Sequence, residues 1–124
     1  KHKNETFLLP TTDKLKPEVP KLLNELEIKW KESVFYKTVI SDLSDLAEVT
    51  YDVLVFFSPS GIESLFYNFP NFKQNNTRIA VFGAMTKKAV EEKGLNVDVY
   101  APSAKFPSMS MALDNYIANA NKKK

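Results

Sequence analysis

The sequence predicts an α/β fold, a single doubly wound, flavodoxin-like parallel sheet of five strands with flanking helices, and two stretches carry that expectation. From Asp52 to Gly61 the chain reads Asp-Val-Leu-Val-Phe-Phe-Ser-Pro-Ser-Gly, an apolar run of strand length that stops at small turn residues able to start a helix. Val53 to Phe57 has the composition of a strand buried on both faces. Ser60 is placed to cap the following helix, with Glu63 three residues on closing a capping box, and Ile62, Leu65, Phe66 and Phe69 share one helical face. The same order recurs from Arg78 to Thr86, where Ile79-Ala80-Val81-Phe82 ends at Gly83 and a helix runs from Lys87 to Lys93 with Gly94 as its stop. Two strand–helix steps in succession require parallel strands, because a short hairpin cannot join them.

The remaining elements follow in order. Thr6 to Leu9 is a short strand ended by Pro10-Thr11-Thr12-Asp13. Pro17 and Pro20 confine the start of the next helix, whose buried stripe is Leu22, Leu23, Leu26 and Ile28. Ser33 to Val39 alternates as a second strand. Ser41 to Tyr51 is polar, with Leu43, Leu46 and Val49 at helical spacing, and forms a short helix or turn before the third strand. Arg78 to Phe82 is the fourth strand and Val97 to Ala101 the fifth. Ser108, after Pro107, opens a last helix that turns Met109, Ala112, Leu113, Tyr116 and Ile117 to the core.

At 124 residues and 44% hydrophobic content the chain suffices for one core, so residues 1–121 are expected to form a single domain with a basic tail over 122–124. No apolar run approaches membrane-spanning length and the first residues carry no signal-like segment, which makes a cytoplasmic protein the expectation. Cysteine is absent, so disulfides and thiolate chemistry are excluded, and the only histidine is His2. The formal charge is +2, and setting aside Lys122, Lys123 and Lys124 leaves the rest of the chain near −1. Lysines scattered among acids give no nucleic-acid footprint, and with Arg78 as the sole arginine the chain cannot clamp several anions by bidentate guanidinium pairs.

Common users of this fold leave residues that are missing here. A receiver domain needs a phosphate-accepting aspartate at the end of the third strand, where Phe57-Ser58 stands; a flavodoxin needs a phosphate loop after the first strand, and Thr11-Thr12-Asp13-Lys14 has no glycine. A dinucleotide fold needs three spaced glycines, whereas Gly83 stands alone. Ligands of such sheets lie off the carboxyl ends of the strands, which selects Pro10 to Asp13, Thr38, Ser58 to Gly61, Gly83 to Thr86 and Pro102 to Ser108. Helix N-termini among these loops offer amide donors suited to anions without arginine.

Taken together, Phe7-Leu8-Leu9-Pro10, Val34-Phe35-Tyr36-Lys37-Thr38-Val39, Val55 to Gly61, Ile79 to Gly83 with Thr86, Ala89 and Gly94, Ala101-Pro102 and Pro107-Ser108-Met109 resemble the C-terminal half of uroporphyrinogen-III synthase. The resemblance implies a cofactor-free lyase of tetrapyrrole biosynthesis that closes the linear polycarboxylate hydroxymethylbilane into uroporphyrinogen III, inverting the last pyrrole ring with loss of water. It also implies a second domain of the same full-length protein, with the substrate in the cleft between the two. Residue by residue, Tyr36 matches a tyrosine that assists departure of the substrate hydroxyl, while Ser58 and Thr86 match residues associated with substrate carboxylates. The chain departs from the family's glycine-proline-threonine-threonine turn, reading Gly83-Ala84-Met85-Thr86. Thr38, Ser60, Gly61 and Gly83 complete the expected substrate-binding set, with no metal, nucleic acid or membrane.

Each of these residues has a plainer reading. Tyr36 can be an amphipathic strand residue, Ser60 a cap with Glu63 as its partner, Thr86 a helix residue bonding its own backbone, Gly83 a tight turn, and Asp13 a cap rather than a base. Lys37, Lys87 and Lys88 read as a solvated face. The residues by themselves therefore also allow a non-catalytic α/β binding module or scaffold half that depends on a partner domain.

Overall fold

The structure, a computed structural model, describes residues 2 and 4–122; Lys123 and Lys124 of the expected tail lie outside them. The chain divides into two compact units, Lys1–Ile40 and Ser41–Lys124. The first holds β1 (Thr6–Thr12), α1 (Glu18–Glu25) and β2 (Lys29–Tyr36). The second holds a 3₁₀ turn (Ser44–Leu46), β3 (Val53–Phe56), α2 (Pro59–Asn68), β4 (Arg78–Phe82), α3 (Ala84–Glu92), β5 (Val99–Ala101) and α4 (Met109–Asn121).

All strand pairings are parallel, as the alternation of strands and helices requires, but they form two sheets, β1-β2 and β3-β4-β5, and not the single five-stranded sheet expected. The break falls where the sequence is polar. Between β2 and β3 the chain makes only a three-residue 3₁₀ turn, and returning a parallel strand to the same sheet takes a crossover of helix size. Asn68 shapes this segment, its amide nitrogen donating to the Ser41 carbonyl at 3.1 Å and its Oδ1 accepting from the Leu43 amide at 2.9 Å.

In the first unit both strands differ in extent from the expectation. β1 continues through Pro10 to Thr12, because in a two-stranded sheet proline can turn its missing donor away from the partner. β2 begins four residues earlier than expected, and the Trp30 indole donates to Asn24 Oδ1 of α1 at 2.9 Å. Of the expected α1 stripe, Leu23 and Ile28 are half-buried whereas Leu22 and Leu26 are exposed. A helix on two strands has too little area to cover all four, and Thr11 is the one described residue of this unit that is buried.

The second unit has a proper core. Ile79, Ala80 and Val81 on the central strand β4 are fully buried, and alternation sends them to opposite faces. Ile79 and Val81 pack with Ile62 of α2 and Val90 of α3, while Ala80 packs with Val99 and Ala101 of β5 and Met109 and Ala112 of α4. Helices thus cover both faces, the doubly wound arrangement on a smaller sheet. Ile117, expected to face this core, is exposed. Gly94 stops α3 as its position suggested: with φ +73 it donates to the Glu91 carbonyl at 2.9 Å while Leu95 donates to Val90 at 3.3 Å, a Schellman closure.

Candidate functional site

The carboxyl ends of β3, β4 and β5 each lead into a helix N-terminus. α2 is capped by Ser58 in extended conformation, with Pro59 as the first helical residue, and not by the expected Ser60. No side-chain cap hydrogen bond forms at Ser58, and Ser60, inside the first turn, does not hold the cap position that the expected capping box needs. Two serines flank a proline here, and proline's fixed φ makes it the first helical residue, which pushes the cap one place upstream. The Ser58 and Ser60 hydroxyls instead lie 2.7 Å apart and share a hydrogen bond. Gly61 packs on Phe56, whose ring lies 3.0 Å from where a Cβ would be; a close approach, and not a turn, requires glycine there.

Gly83 caps α3 with φ +87 and ψ 152, a region open essentially to glycine alone, and its amide donates to the Ala101 carbonyl of β5 at 2.7 Å. The turn reading of Gly83 therefore holds. The amides of Ala84, Met85 and Thr86 are the first-turn donors for which a helix supplies no acceptor of its own. Thr86 itself is 2% exposed. α4 shares the serine pair of α2, the Ser108 hydroxyl lying 3.1 Å from that of Ser110, but here the cap bond forms, Ser108 accepting from the Met111 amide at 3.3 Å. Lys87 and Lys88 pair with Glu91 and Glu92 one turn on, in keeping with a solvated face.

Two features of this rim were not read from the sequence. Ser110 joins Ser108 in a serine-x-serine pair like that of α2, a spacing visible once both helix starts are known. Phe57, expected as the last residue of a strand buried on both faces, instead follows β3 and is 65% exposed, with its ring 6.0 Å from that of Phe82 at the end of β4, because the turn to Ser58 carries it out of the sheet. The two rings place apolar surface next to the anion donors.

Tyr36 and Thr38 belong to the other unit. Tyr36 ends β2 and its side chain is 64% exposed. The strand register steps from Thr11↔Val34 to Thr12↔Tyr36, so Phe35 is an extra residue, a bulge. Plain alternation would put Tyr36 on the face of Val34; the bulge brings it level with Thr12, on the opposite face. Just beyond, Asp13 accepts hydrogen bonds from the Thr38 amide at 3.1 Å and the Thr12 hydroxyl at 2.9 Å. These donors, the Thr38 amide foremost, hold its carboxyl below the usual carboxylate range.

Among the described residues no cluster of three or more histidine, aspartate or glutamate side chains could hold a metal, and no helix is long and apolar enough to cross a membrane. Parallel strands that lead into helices, with the connecting loops at the strands' carboxyl ends, place the chain among α/β proteins. Residues 1–110 match the family described as Uroporphyrinogen-III synthase HemD, and the chain belongs to that family, whose activity is that of a lyase in tetrapyrrole synthesis. No curated protein and no solved structure matches it significantly.

Proposed function

We propose that this chain supplies one part of a uroporphyrinogen-III synthase, cyclising hydroxymethylbilane with inversion of the last pyrrole ring and loss of water, and that the complete protein carries a further domain forming the other wall of the substrate cleft. The observation that carries this reading is the family match across residues 1–110. Tyr36, which the resemblance matches to the family's hydroxyl-assisting tyrosine, is exposed, which agrees with it.

The chemistry asks little of the protein in bond making. The electron-rich pyrrole expels its own hydroxyl, and a phenol can donate a hydrogen bond to that leaving group. Tyr36 takes this part. Holding a flexible chain so that the correct carbon attacks is an orientation problem, and prepaid entropy is worth roughly 7 to 11 kcal/mol in well-oriented cases. Substrate carboxylates are assigned to Thr38, to the hydroxyls of Ser58 and Ser60 with Gly61 behind them, and to the first-turn amides of Ala84, Met85 and Thr86, which the Gly83 cap sets in place. Phe57 and Phe82 offer a surface to a pyrrole ring. No cofactor enters the scheme.

A second reading, a non-catalytic α/β module needing a partner domain, is favoured by one feature: an apolar hollow of about 660 Å³ beside β3, lined by Leu46, Val49, Leu54, Phe56, Phe69 and Phe72 among others. Activity separates the two. In the full-length protein Tyr36→Phe is expected to lower turnover toward the low end of the roughly 10²- to 10⁴-fold typical of general acid assistance, with an unchanged melting temperature. Parental turnover in that variant returns Tyr36 to an ordinary strand residue.

A further inference from the structure

We propose that Asp13 is a positioning residue for Tyr36, fixing the backbone on both sides of Lys37 so that the phenol of an otherwise unpacked side chain points in one direction. The inference rests on the role proposed above for Tyr36 and adds a residue to it.

Three hydrogen bonds converge on Asp13. Its amide donates to the Tyr36 carbonyl at 3.3 Å, and its Oδ1 accepts from the Thr38 amide at 3.1 Å and from the Thr12 hydroxyl at 2.9 Å. The β1-β2 register ends at Thr12↔Tyr36, so past the bulge the strand ladder no longer holds β2. Asp13 continues the pairing by one residue through its main chain and by two through its side chain. The Thr12 hydroxyl aims the carboxylate.

The backbone tether matters because the tyrosine is little covered. Tyr36 is 64% exposed, Phe35 beside it 67%, and Val34 51%; a ring so exposed takes its direction chiefly from its Cα–Cβ bond, and so from the backbone. A bulge re-aims a side chain but also loosens the ladder at the point where it acts. A hydrogen-bonding side chain immediately beyond restores the restraint. The need is for an acceptor at the Oδ1 position, which asparagine can meet and alanine cannot.

The test is a double-mutant cycle in the full-length protein, with Asp13→Ala, Tyr36→Phe, the double variant and Asp13→Asn, each checked for an unchanged melting temperature. Misplacement of about 1 Å can cost 10²-fold, and a partly released segment should cost less, so Asp13→Ala is expected to lower kcat roughly ten-fold. Asp13→Asn should recover most of that loss. In the Tyr36→Phe background Asp13→Ala should cost less than about two-fold, because a residue acting through the hydroxyl has nothing left to act on. Multiplicative losses in the double variant, no rescue by asparagine, or a parental kcat in Asp13→Ala when Tyr36→Phe is impaired would each overturn the role of Asp13 alone. Parental turnover in Tyr36→Phe would overturn the assignment of Tyr36, and that of Asp13 with it.

Discussion

At the scale of single residues, the α3 N-terminus separates what glycine does for the backbone from what Thr86 does for a ligand. Gly83→Ala meets no atom within 4 Å, yet φ +87 with ψ 152 is closed to a Cβ, so the expected cost is about 1–3 kcal/mol from backbone strain alone. Thr86 is buried, which leaves its hydroxyl little access; we place its contribution on its amide, which valine retains. Thr86→Val is therefore expected to keep KM within about two-fold of the parent while lowering the melting temperature, and a large rise in KM at constant stability would put the contact back on the hydroxyl. Gly83 and Gly94 were legible because a positive φ leaves few alternatives. Ser58 and Ser60 were not, since each satisfies the rules for a cap and only the geometry of Pro59 chooses between them. The bulge at Phe35 was invisible for a different reason: Val34-Phe35-Tyr36 is equally good strand sequence with or without an extra residue.

Among the elements, those with buried apolar faces announced themselves. β4 lies where its apolar run predicts, because a central strand covered on both faces has no room for polar residues. α2 shows the expected stripe in Ile62 and Leu65. β2 was misplaced at both ends, since on a two-stranded sheet with one helix the pattern need not separate an inner face from an outer one, and Lys29, Lys31 and Glu32 are tolerated in the strand. The same contrast predicts dynamics. Local opening tracks buried area, so in hydrogen exchange of the isolated chain the amides of Ile79 to Val81 should be the slowest and those of β1 and β2 should exchange much sooner. Equal protection in the two sheets would mean that the first unit is stabilised by more than its own contacts.

For the molecule as a whole, strand–helix alternation was enough to read parallel pairing and helices on both faces of a sheet, but not which strands are neighbours, because neighbour choice depends on the length of each connection and the one between β2 and β3 is too short in helix to return the chain. The candidate site was legible to the same degree: the loops after β3 and β4 are where the sequence put them, whereas Pro10 to Thr12 lie within β1, β2 ends before Thr38, and the aim of Tyr36, the tether at Asp13 and the exposed ring of Phe57 depend on register. The central claim is that these residues serve the ring closure of hydroxymethylbilane with inversion of its last pyrrole, and the product isomer tests it most directly. With the full-length protein the account predicts uroporphyrinogen III as the main product; formation of only the unrearranged type I isomer, which arises spontaneously, would contradict it.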